Sequence, residues 1–147
     1  MYTDTVTIFN KYKTAQGITW YPTVLHNVDL NTDKGANVAK TGLESADTAK
    51  LHVRYSLTDG TITIAGKPYK WPKEWAALAM DVIPTTITFT GAADFFIRGE
   101  FPTEAINDNE FKKGYYDYMN TNHDDVYLIT TVGGPYKLIP HFEIGGK

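Results

Sequence analysis

The residues with the most chemistry to offer are the four histidines, His26, His52, His123 and His141. Two have acidic company, in His123-Asp124-Asp125 and in His141 with Glu143 two positions on. A metal site needs about three such ligands converging, each ring held by a further partner. His123-Asp124-Asp125 stands just before an apolar run and reads more simply as a polar turn. His141 and Glu143 share one strand face at period two, the ordinary pattern of a solvent-facing side. No metal and no cofactor is therefore expected.

Glycoside hydrolysis would need two carboxylates held across a cleft. Asp94 and Glu100 are candidates, but any chain with 17 acidic residues supplies such pairs. Asp94 reads as a turn residue and Glu100 as a surface charge. No serine lies in a Gly-x-Ser-x-Gly turn that would expose a nucleophile. Trp20, Tyr21, Tyr69, Trp71 and Trp75 could form a sugar-stacking platform, although Trp20 sits in an apolar strand and Trp75 on a helix stripe, which favours the core for both. An enzyme is not expected.

The elements that position these residues are mostly short strands. At 147 residues the chain has one domain's length, and 42% hydrophobic with 21% charged residues is ordinary for a globular core. The aromatic share of 14%, with ten tyrosines, is high, and Tyr-rich surfaces are often contact surfaces. A formal charge of −3 argues against a phosphate-gripping protein. There is no cysteine, hence no disulfide framework and no thiolate zinc site. The N-terminal stretch lacks signal-peptide character and no apolar run reaches the ~20 residues of a membrane helix, so a soluble protein made in a cytoplasm is expected.

Ile87–Phe101 reads as two strand arms around a reversal at Gly91-Ala92-Ala93-Asp94. Its Phe95-Phe96-Ile97 run suits a strand covered on both faces, as in a small barrel or at a subunit interface. Thr5–Asn10 and Thr19–His26 form a hairpin across Gln16-Gly17, with Pro22 marking an edge or bulge. Residues 31–48 are small and polar and read as a long excursion that orders against a partner. Ala49–Ser56 alternates cleanly, Leu51, Val53 and Tyr55 on one face. Asp59-Gly60 and Gly66 mark turns around Thr61–Ile64. A short helix over Trp71–Met80 carries Trp75, Leu78 and Ala79 on one stripe and is expected to plug one end of a barrel. Asn107 or Asp108 caps a second helical segment through about Met119. Val126–Val132 and Lys137–Ile144 close the chain as strands joined across Gly133-Gly134-Pro135. The sum is mainly β: a single small barrel or sandwich over residues 1–147, about seven strands, one or two short helices and the long polar loop.

Three segments together resemble the small neck proteins of tailed bacteriophages, the head-closure, stopper or minor capsid family. They are Asp4–Lys11 with Thr19–Val28, like the family's first hairpin; Pro72-Lys73-Glu74-Trp75 leading through Ile87-Thr88-Phe89 to Asp94–Glu100, similar to its Gly-Asp-Tyr-Ile-Val-Lys-Gly pattern; and the closing His141–Lys147. Ala93 departs from that pattern, which has Gly before the Asp. The resemblance implies a β-barrel neck protein of the virion, assembled in the host cytoplasm as a homo-oligomeric, hexameric ring. It would sit below the portal and adaptor, close the head, retain packaged DNA and present the tail or its terminator with a surface. DNA would pass through the channel without specific binding, and no membrane is involved. On that reading Lys34, Lys40, Leu43 and Glu44 of the 31–48 loop serve the ring or channel, while Trp20, Trp75, Phe95 and Ile97 are fold core. Another tail ring or tube component, such as a terminator, and a carbohydrate-binding β module are the alternatives.

Overall fold

Two long strands, β1 (Asp4–Thr14) and β2 (Gly17–Asp33), form the hairpin on which the rest of the chain is hung. The computed structural model describes residues 2–33, 36–39, 42–45 and 47–147, with backbone alone for 36–39 and 42–45. The further elements in chain order are β3 (Ala36–Ala39), β4 (Gly42–Ser45), β5 (Thr48–Arg54), β6 (Ser56–Thr58), β7 (Thr61–Ile64), β8 (Lys67–Pro68), α1 (Pro72–Ala76), β9 (Phe95–Arg98), β10 (Ile106–Asn107), α2 (Tyr115–Asn122), β11 (Val126–Tyr136) and β12 (His141–Gly146). Single 3-10 turns occupy Ile83–Thr85 and Asp108–Glu110.

Six antiparallel strands close on themselves in the order β1-β9-β11-β12-β5-β2, with β2 pairing back to β1. The architecture is a closed barrel, one of the two expected. Closure is what a chain of short alternating strands gains by leaving no unpaired edge in its body. Pro22 pairs opposite Phe9 on the β1 side and is buried, and the β5 pairing of β2 begins only at Asp29. The missing N–H of Pro22 therefore falls where β2 has a single neighbour.

Among the described residues, most of the buried apolar side chains form two clusters. One fills the barrel with Val6, Ile8, Leu25, Leu51, Val53, Phe89, Phe96, Tyr127, Phe142 and Ile144 among others. The second lies outside the β1-β9-β11 wall and joins Phe9, Trp20, Phe95, Ile97 and Val126 to Tyr115 and Met119 of α2. Strand alternation explains both: Phe96 points into the barrel while Phe95 and Ile97 point out under the helix. The run that suits a strand covered on both faces is covered within this chain, by α2 rather than by a second subunit.

Four local expectations are corrected. Ile87–Thr90 is no strand partner of β9, because β9 is already paired with β1 and β11; Ile87 makes an isolated bridge to Tyr69. Only Pro72–Ala76 is helical, and Trp75 packs edge-on to Tyr12 of β1 at 5.6 Å. Trp75 joins neither core cluster, so α1 covers the β1–β2 hairpin instead of plugging the barrel. The second helical segment is split at Gly114, whose φ of 92° is open to glycine and costly to other residues. Finally, β11 continues through Gly133-Gly134-Pro135 and the reversal falls at Lys137–Pro140. Gly134, at φ 105°, forms a bulge there, and bulges are where a sheet accepts proline.

The polar stretch 31–48 is ribbon over most of its described length. Asn31–Asp33 extend β2 against Thr48–Lys50 of β5, and β3 pairs β4 with Val38 opposite Leu43. Lys34 and Lys40 lie outside the described residues; Leu43 and Glu44 lie in β4, opposite Val38 and Asn37.

Candidate functional site

The β2–β5 pair sends chain out of the barrel at both ends. At the end where Asp33 faces Thr48, the β3–β4 ribbon leaves. At the other end, where Arg54 faces His141, two further structures leave together. One is the ribbon β6-β7-β8, turned by Asp59-Gly60 and Ala65-Gly66, both at positive φ. The other is the β11–β12 tip, held to it where Tyr55 N donates to Pro140 O at 3.3 Å and Tyr55 Oη donates to Tyr136 O at 2.8 Å. Leu138 is 87% exposed at this tip, Ile139 69% and Leu57 of β6 63%. The end away from the β3–β4 ribbon thus carries large apolar side chains in water; Trp71 and Met80, outside this tip and ribbon, are exposed as well.

The expected core residues are buried: Trp20, Trp75, Phe95 and Ile97 are each at most 3% exposed. Trp20 also donates from Nε1 to Asp108 Oδ1 at 2.8 Å, and the same oxygen accepts from Tyr115 N at 2.8 Å. Asp108 thereby caps α2 from seven residues back, across the Gly114 break. Burial of Trp20, Tyr69 and Trp75 removes three of the five aromatics from any sugar-stacking platform; Trp71 remains exposed.

Asp94 is a turn residue as expected, but a fully buried one. It accepts from Lys11 N, Thr90 N and Asn10 Nδ2 at 2.8, 2.8 and 2.9 Å. Desolvation pushes its carboxyl up to about 7, against the pull of those three donors. Its role is to fasten the 87–94 segment to β1, not to face substrate. Glu100 is a surface charge, 3.2 Å from His26.

Sequence reasoning missed a row of titratable groups on the outer wall. Register sets Asp29 opposite His52 and His52 opposite Glu143, with His141 two residues before Glu143 on the same face. The pairing of β2, β5 and β12 brings these four together, and local spacing announces only the His141–Glu143 pair. His123, by contrast, stacks edge-on to Phe101 at 5.3 Å, and Asp125 holds Arg98 at 3.2 Å. Among the described residues, no group of three or more His, Cys, Asp or Glu side chains could hold a metal ion, and no helix is long and apolar enough to cross a membrane.

No curated protein and no solved structure matches the chain. Over residues 1–147 it matches a family of unknown function (DUF6751), and the chain belongs to that family.

Proposed function

We propose that this chain is a structural protein of the tailed-phage head-tail connector, one layer of a homo-oligomeric ring that closes the head, retains DNA and offers the tail its attachment surface. The observation that supports this most is the bipolar barrel: a self-contained body with the polar β3–β4 ribbon at one end and Leu57, Leu138 and Ile139 exposed at the other. A layer between a portal-side and a tail-side neighbour needs two unlike docking ends on a rigid spacer. The resemblance of the β1–β2 hairpin, the Asp94–Glu100 segment and the closing strand to neck proteins points the same way.

The barrel itself is filled by Phe89, Phe96 and Phe142; in the ring proposed here DNA would pass through the bore between subunits and not through a subunit. A net charge of −3 suits a bore that releases DNA, since each phosphate neutralised by the wall adds a salt-dependent hold. The protein acts by contact, not by catalysis. Replacing residues 36–45 with a hairpin turn of about four residues tests the reading, because Asp33 and Thr48 already face each other. The shortened chain is expected to fold and to lose ring formation or portal recruitment. Unchanged assembly would contradict it.

A further inference from the structure

The reversal between β11 and β12 holds two large aliphatic side chains in water, Leu138 and Ile139. Ile139 has a φ of 51°, a left-handed conformation that β-branched residues rarely adopt and that turns ordinarily give to Gly, Asn or Asp. The tip is nonetheless tied down along its length. His141 Nδ1 donates to Ile139 O at 2.6 Å, Tyr55 N donates to Pro140 O, and Tyr55 Oη donates to Tyr136 O. A fixed turn that presents Leu and Ile is a preorganised knob, which loses little freedom when it is buried by a partner.

A socket of matching character lies on α2. Phe111, Gly114, Tyr118 and Thr121 help to line an open hollow of about 440 Å³, where the Phe111 and Tyr118 rings meet at 4.8 Å. Tip and hollow stand too far apart to meet within one copy. Tyr115 and Met119 of α2 pack with Val126 at the start of β11, whereas the tip follows its other end, about 30 Å away at about 3.3 Å per residue. Charge matches as well. Lys137 adjoins the tip and Glu110 and Asp117 line the hollow, none of the three in an ion pair among the described residues. Glu143, beside the tip, has its opposites in Lys112 and Lys113 of the hollow.

We propose that Leu138 and Ile139 of one copy seat in the α2 hollow of the next, so that ring neighbours join head to tail. This rests on the ring reading above and names its subunit contact. A contact between two unlike surfaces repeats from copy to copy, and its rotation decides whether the assembly closes as a ring or runs on as a filament. Apolar side chains at the centre with charged residues around them are the usual anatomy of such an interface. Leu57, on the β6-β7-β8 ribbon, is left to the neighbouring layer.

The test is sedimentation of the full chain, alone and with a portal-containing complex, followed by imaging. A knob variant, Leu138→Ser with Ile139→Ser, and a socket variant, Thr121→Arg, alter exposed residues only. The parent is expected to self-associate and each variant to do so about tenfold more weakly or less. Mixed together, the two variants share one intact tip and one intact hollow and should form a dimer and nothing larger, an outcome a self-complementary contact would not give; that dimer also shows both variants to be folded. Rings that form equally well from both variants would overturn the proposal and leave the connector reading standing. Filaments that need both surfaces would support the proposal and count against a closed ring. A parent that stays monomeric and ignores the portal complex would overturn both.

Discussion

The Asn10 side chain donates from Nδ2 to both Asp94 Oδ2, at 2.9 Å, and Thr88 O, at 2.6 Å, and so locks the 87–94 segment against β1 inside the protein. Asp94 has no exposed surface, and the backbone N–H groups of Lys11 and Thr90 also donate to it. Asp94→Ala leaves buried donors unmet and is expected to cost at least about 2 kcal/mol in denaturant unfolding.

The same carboxyl sets a pH dependence. Its folded pKa of about 7 lies above the ordinary 3.8, so the folded state holds the proton more tightly than the unfolded chain. This contribution to stability is full below the ordinary carboxylate range and is lost as pH rises toward 7. Unfolding midpoints measured across that window should fall with pH, and Asp94→Asn should flatten the slope. A slope identical in the variant would assign the effect to other groups.

Phe95 stacks on Phe9 at 4.7 Å and meets Trp20 at 5.0 Å under α2. Phe95→Ala should cost about 3–5 kcal/mol, as a fully buried aromatic does. Asp108→Ala removes the shared acceptor of Trp20 Nε1 and Tyr115 N and should cost about 1–3 kcal/mol with a shift in tryptophan emission. Emission unchanged from the parent would mean that Trp20 does not depend on Asp108.

Two surface changes separate assembly from folding. Leu138→Ser with Ile139→Ser alters side chains 87% and 69% exposed, so monomer stability should stay within about 0.5 kcal/mol while docking at that end is lost. Leu43→Ala in β4 should likewise impair assembly and spare the monomer. A stability loss of about 2–5 kcal/mol for Leu43→Ala would mark it as core instead.

Strand alternation was the legible part of this sequence. Leu51, Val53 and Tyr55 are buried and Lys50 and Arg54 exposed, as period two requires. Asp59-Gly60 turns where its chemistry says it must. What escaped reading depends on which strand lies beside which. The second apolar face of Phe95-Phe96-Ile97 finds its cover only when α2 folds back over β9. Ile87–Thr90 has strand composition, but β1 and β11 had taken both edges of β9. The Asp29–His52–Glu143 row exists only through the register of three strands distant in sequence. Gly133-Gly134-Pro135 has turn composition, yet a glycine at φ 105° lets the strand bulge and continue.

The central claim is assembly, and the mass of the purified full-length chain in solution tests it most directly, measured alone and with a portal-containing complex and followed by imaging. Rings of identical copies, or recruitment onto the portal complex, is the result expected of a connector layer. A monomer at every concentration that leaves the portal complex untouched would contradict the connector reading.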